Sequence, residues 1–283
     1  ETQVLKEIPD GSICPECNRI LPAIIFEREG KVWITKTCPE HGECEELYYG
    51  SFEMYEKFSR FQHDGKGVED PNVLVAEPKC PVDCGLCKSH LSHTGLANLV
   101  LTNRCDLTCW YCFFYAKKGI AGAYVYEPTL DQIRAMVKSL TAERPVPGNA
   151  IQLTGGEPTL RKDLVDIIKI CREEGVEHVQ LNTNGISLAL DSELAGRVRR
   201  AGVNTVYMSF DGVTAKTNPK NHWEAPHAIE NCRNAGLGIV LVPTVIKTVN
   251  DHELGGIVRF AQKNINVIRA VNFQPVSLTG RIT

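Results

Sequence analysis

The sequence predicts an α/β fold: a partial (β/α)6 barrel behind a small cysteine-rich metal domain. Three observations carry this. Six short apolar, β-branched runs alternate with five helical patterns between residues 97 and 274. Ten of the twelve cysteines fall within the first 112 residues, in pairs and triplets. Polar and glycine-rich clusters follow the ends of the first four of those runs. Alternating β and α units with short links build a parallel sheet with right-handed crossovers.

The bulk properties fit this class. A chain of 283 residues makes one large domain, or one with appendages. At 43% apolar and 23% charged residues it is an ordinary globular chain. A net charge of −3 gives no basic field, so nucleic acid is not an expected partner. No apolar run reaches the length of a membrane-spanning helix. No signal-type stretch or lipidation motif is visible, so the expected location is the cytoplasm, with peripheral membrane contact kept open. Six units rather than eight, and an abrupt last residue, lead us to expect a missing C-terminal extension.

Three zones are expected. Residues 1–50 form a rubredoxin-like or zinc-ribbon-like mononuclear metal domain. The runs 20–26 and 31–37 there make a hairpin about Glu29-Gly30. Residues 51–96 are a connector with an amphipathic stretch at 48–61 and an auxiliary cysteine segment. Residues 97–283 are the barrel. Its strands are expected at 97–102, 150–154, 178–183, 205–210, 238–245 and 267–274. Its helices are expected at 130–140, 164–174, 193–201, 225–234 and 254–263. The strands read as near-continuous apolar runs, which predicts burial on both faces. In such folds ligands bind at the C-terminal edge of the sheet, where the polar clusters lie.

The cysteines define three groups. Cys105, Cys109 and Cys112 follow the first strand as C-x3-C-x2-C. Three thiolates so close suit three irons of a cubane cluster and leave one iron open. Cys80, Cys84 and Cys87 repeat that spacing outside the barrel. They read as ligands of an auxiliary [4Fe–4S] cluster whose fourth ligand is not identified. A zinc site completed by His90 or His93 is the alternative. Cys14, Cys17 and Cys38, with His41 or Cys44, form two knuckles around the hairpin and read as a mononuclear zinc or iron site. Cys171 and Cys232 lie in helical patterns and are expected to be buried apolar residues.

The C-x3-C-x2-C loop with Tyr111 before its last cysteine resembles the signature of the radical S-adenosylmethionine (radical SAM) superfamily. So do Thr154-Gly155-Gly156-Glu157-Pro158, Asn182–Gly185 and Ser209–Gly212, each after a successive strand. The resemblance implies a partial (β/α)6 radical SAM barrel, S-adenosylmethionine and a catalytic [4Fe–4S] cluster on Cys105, Cys109 and Cys112. With the auxiliary group, at least two clusters are expected. It also implies an external low-potential electron donor and a 5′-deoxyadenosyl radical that takes hydrogen from an unactivated C–H bond. Under it, Gly155 and Gly156 let backbone approach the methionine moiety, and Glu157 accepts from its amino group. Thr183, Asn184 and Ser209 reach the ribose or carboxylate, Lys247 pairs with the carboxylate, and Gln274 lies near the adenine. Tyr111 and Asp211 complete the implied S-adenosylmethionine-binding set.

The order of mononuclear site, extra triplet and radical SAM loop resembles the archaeal group that contains tetraether lipid synthase. That resemblance implies transferase chemistry coupling phytanyl chains of ether lipids, with a lipid as substrate. Methylation of a pterin or another small molecule is the alternative, and a compact polar pocket would favour it over a long apolar cavity.

Overall fold

The computed structural model describes residues 2–79, 83, 85–114, 116 and 124–277. The expected ligands Cys80 and Cys84 lie outside the described residues. The chain divides into two compact units, Glu1–His93 with Arg144–Val146, and Thr94–Glu143 with Pro147–Thr283.

The first unit is built on an antiparallel sheet in the order β1 (Thr2–Ile13), β2 (Ile20–Arg28), β3 (Lys31–Cys38), β4 (Gly42–Tyr49). The β2–β3 hairpin forms as expected, with Arg28 opposite Lys31. Glu29 and Gly30 both take positive φ, the backbone whose twist matches two-residue hairpin turns. Arg28 stacks over Trp33 at 4.7 Å from the ring centroid and pairs with Glu45 on β4. Helix α1 (Phe52–Ser59) starts at Ser51, whose hydroxyl accepts from Met54 N, and buries no residue fully. Between α1 and His93 the described residues hold no helix or strand.

The second unit carries a six-stranded parallel sheet in the order β11-β9-β8-β7-β6-β5. Its strands are β5 (Ala97–Thr102), β6 (Ala150–Gly155), β7 (His178–Thr183), β8 (Thr205–Ser209), β9 (Gly238–Val242) and β11 (Ile268–Val271). A two-residue pair, β10 (Thr244–Val245) with β12 (Gln274–Pro275), extends the C-terminal end. Helices α2 (Leu130–Thr141), α3 (Leu164–Glu173), α5 (Leu194–Ala201), α6 (Ala225–Asn234) and α7 (Leu254–Lys263) follow the strands, and a short α4 (Ile186–Leu190) follows β7. The α2 N-terminus is a capping box of Thr129 and Gln132.

The sheet faces differ. Leu99, Leu153, Leu181 and Val206 stand opposite one another across β5–β8, and Met208 stands opposite Leu241 on β9. They bury against Ile133, Ile167, Ile168, Val198 and Ile229 of the helices. Each such side chain stabilises the fold by about 1.5–3 kcal/mol. Cys171 and Cys232 belong to this core, where burial pushes each thiol up to about 12. The opposite face carries Asn98, Gln152, Gln180 and Thr205 in one row. Gln152 donates to Asn98 at 3.0 Å and accepts from Gln180. One layer nearer the C-terminal end, Asn182 donates to Thr154 at 3.1 Å and Asn272 to Tyr207. The expectation of apolar burial on both faces is therefore corrected. The strands alternate with period two, and only the helix-covered face is a hydrophobic core.

Candidate functional site

The site begins where β5 gives way to the cysteine loop. Gly156 N donates to Thr102 O and Glu157 N to Arg104 O, both at 2.8 Å. A Cβ on Gly155 would run into the Thr102 carbonyl oxygen, and one on Gly156 into that of Arg104. The two glycines thus let the β6 end dock on the backbone that launches the cysteine loop.

Glu157 is 1% exposed. Its Oε1 accepts from Thr159 N (3.0 Å), Thr159 Oγ1 (2.6 Å) and Thr183 Oγ1 (2.8 Å), and its Oε2 from Asn184 N (2.7 Å). Burial raises its pKa, and these four donors pull the other way. Among the described residues its partners are all protein groups, so the carboxylate braces the β7 end from behind. Asn184 carries the brace onward, donating from Nδ2 to Asp106 Oδ1 at 2.7 Å, next to Cys105.

The β8 end is braced similarly. Asn221 Nδ2 donates to the carbonyls of Asn184 and Ser209, both at 2.7 Å. Asp211 Oδ1 accepts from Thr244 N at 2.9 Å, and Asn250 Nδ2 bonds the Asp211 carbonyl at 2.9 Å. Asp211 Oδ2 accepts from the Tyr111 hydroxyl and pairs with Lys220 Nζ at 2.8 Å. Burial first, then the Asp211 charge, keeps the Tyr111 phenol protonated well above its ordinary range. Among the described residues, Asn218 Nδ2 and Asn221 Oδ1 are buried with no hydrogen-bond partner.

The structure thus joins Cys105, Glu157, Thr183, Asn184 and Ser209 through one hydrogen-bond network and gathers Tyr111 and Asp211 into a second one with Lys220. Lys247 and Gln274 are exposed and lie outside both. Asp106, Lys220, Asn221 and Asn250 were missed. The signal for the middle two was an asparagine-bearing stretch before α6 that fits no element.

The cysteine loop suits a cluster. Cys105, Cys109 and Cys112 are free thiols of intermediate exposure. Leu107 N donates to Cys105 Sγ at 3.4 Å. Burial pushes the Cys105 thiol up to about 12, helped by the negative charges of Glu157 and Asp106.

The mononuclear centre is compact. The ligand atoms of Cys14, Cys17, Cys38 and His41 lie within 4.8 Å of one another. His41 Nδ1 is 3.5 Å from Cys38 Sγ and 3.7 Å from Cys14 Sγ, and Cys17 is 3.8 Å from Cys38. A tetrahedral site with bonds of ordinary zinc length has ligand separations of about 3.5–3.8 Å. A backbone N–H at Glu40 and the His41 ring pull the Cys38 thiol down to about 6. Cys44 lines the hollow beside this group with Lys36 and Glu43, and is not one of the four. In the connector, Cys87 Sγ lies 3.4 Å from His90 Nδ1.

Residues 99–261 match the family model described as the radical SAM superfamily, and the chain belongs to that superfamily. Membership implies a [4Fe–4S] cluster and S-adenosylmethionine. Residues 11–50 match the model described as the HMPTM N-terminal zinc ribbon domain, which fits the mononuclear donor set. Among curated relatives, a 7,8-dihydro-6-hydroxymethylpterin dimethyltransferase of Methanocaldococcus jannaschii is 47% identical over 96% of this chain and 53% of that protein. A probable GTP 3′,8-cyclase of Sulfolobus acidocaldarius is 31% identical over 64% of this chain and 56% of that protein. The chain spans about half the length of the curated relatives it matches. Streptococcus suis SuiB shares the fold at a TM-score of 0.51 and 17% identity, over 64% of this chain and 39% of that one.

These findings correct the tetraether reading. A relative that shares nearly the whole chain is named for a pterin. The sheet face agrees in its middle strands, where Gln152, Thr154, Gln180 and Asn182 present polar side chains. No described helix is long and apolar enough to cross a membrane.

Proposed function

We propose that this chain carries the radical-generating part of a methyltransferase acting on a reduced pterin. The polar face of the parallel sheet carries this reading. Asn98, Gln152, Gln180 and Thr205 form one row, and Thr154, Asn182 and Tyr207 the next. A pterin is flat and uncharged, and its edges alternate N–H donors with carbonyl and ring-nitrogen acceptors. Neutral amides and hydroxyls match such edges without burying charge. An alkyl chain there would leave without a partner the donors and acceptors that these side-chain bonds do not use, at about 1–3 kcal/mol per group. The pterin dimethyltransferase relative supports the same class.

An iron–sulfur cluster at Cys105, Cys109 and Cys112, with S-adenosylmethionine, supplies the radical that an unactivated C–H bond requires. The chain supplies position. Glu157 locks Thr183 and Asn184 along the ligand edge, with Ser209 and Asp211 beside them. Tyr111 stays a neutral donor. Lys247 and Gln274, both exposed, have no part in this reading. Cys80, Cys84 and Cys87 hold a second cluster, and an external donor supplies electrons. Cys14, Cys17, Cys38 and His41 hold a structural zinc.

The test uses full-length protein reconstituted anaerobically with S-adenosylmethionine and a low-potential reductant. 7,8-Dihydro-6-hydroxymethylpterin should raise 5′-deoxyadenosine formation about tenfold and yield a methylated product, with both lost in Cys105→Ala. Stimulation by GTP and not by the pterin, or none by either, would overturn the pterin reading.

A further inference from the structure

Lys220 is the one buried cation that the described residues bring to this network, and the radical SAM motifs do not include it. Its side chain is 9% exposed, and its ammonium pairs with Asp211 Oδ2 at 2.8 Å. The same ammonium sits 5.3 Å from the centroid of the Tyr111 ring. Tyr111 separates Cys109 from Cys112 and donates its hydroxyl to the oxygen that Lys220 holds. Lys220, Asp211 and Tyr111 therefore close a three-membered clamp on the cysteine loop.

The charges explain why a cation belongs there. Three thiolates, Glu157, Asp106 and Asp211 crowd one half-buried region. Arg104 stands nearby, but Glu127 claims it through Nε at 2.7 Å. A cluster on three thiolates gains a further negative charge on reduction, which such a region opposes in a low local dielectric.

We infer that Lys220 is a positioning and potential-setting residue for the catalytic cluster. It anchors Tyr111 through Asp211, and it offsets the charge that the cluster gains on reduction. This rests on the reading that Cys105, Cys109 and Cys112 bind that cluster.

Full-length reconstituted protein is titrated potentiometrically and followed by EPR, using the signal that changes on adding S-adenosylmethionine. Lys220→Met should make that cluster harder to reduce, and Lys220→Arg should restore the wild-type potential. Asp211→Asn frees the ammonium and should shift the potential the opposite way, so the inference stands on a sign as well as a size. Lys216→Met, at an exposed neighbour, should leave the potential unchanged. Equal potentials in wild type and Lys220→Met, or shifts of the same sign in Lys220→Met and Asp211→Asn, would overturn the inference. If Lys220→Met takes up no iron, the Asp211→Asn and Lys220→Arg arms decide it. A wild-type protein with no signal responsive to S-adenosylmethionine would sink the cluster assignment itself, which is a distinct result.

Discussion

Glu157 shows how a charged group earns a place in a core. Four donors converge on its two oxygens, and two of them come from Thr183 at the end of β7 and from Asn184 just after it. Glu157→Gln keeps the shape but turns one acceptor into a donor facing another donor. The expected loss is about 1–3 kcal/mol. For a unit of this size that is about 2–4 °C of melting temperature per kcal/mol. Calorimetry of the reconstituted protein checks it, and an unchanged melting temperature would mean the hub bears no strain. Tyr111, Asp211 and Asn184 were recognisable in the sequence because each sits in a short motif at a strand end. Lys220 and Asp106 were not, because contacts between distant segments, Asp106 with Asn184 and Lys220 with Tyr111, leave no mark on local spacing.

At the scale of elements, the helices were the most legible. Their apolar positions recur with the helical period, and the observed bounds of the five expected barrel helices differ from expectation by at most a residue, while the short α4 was not expected. Strand centres were also found, but their polar face was read through. Gln152, Thr154, Gln180 and Asn182 alternate cleanly with Leu153, Val179 and Leu181, and that alternation was the missed signal. β1 and β4 escaped notice for another reason. β1 carries Pro9 and Gly11, and β4 carries Glu43, Glu45 and Glu46, so tertiary pairing overrides weak strand propensity. The metal knuckles were visible, but the fourth ligand was open between His41 and Cys44. The structure groups His41, which fixes an expected result. Cys44→Ser should retain one metal per chain, while His41→Ala should lose most of it. Metal analysis after dialysis reads this, and retention in His41→Ala with loss in Cys44→Ser would reverse the assignment.

Across the whole second unit, strand order follows a simple rule. From β5 to β9 each new strand adds beside the last, and β11 then pairs with β9, so β5 and β11 are the edges of the described sheet. Protection should follow that order. Hydrogen exchange is expected to be slowest in β7 and β8, which are paired on both sides, and faster in β11, which is short and paired on one. Equal protection of β11 and β8 would show that something outside the described sheet covers that edge.

The clamp on Tyr111 also has a consequence for biosynthesis. Cys105, Cys109 and Cys112 leave the ribosome about a hundred residues before Asp211 and Lys220 do. At cellular elongation rates that interval is about 5–20 s. During it the nascent thiols have neither the anchoring carboxylate nor the neighbouring ammonium. The loop therefore acquires its full anchoring only once β8 and the segment after it have been made.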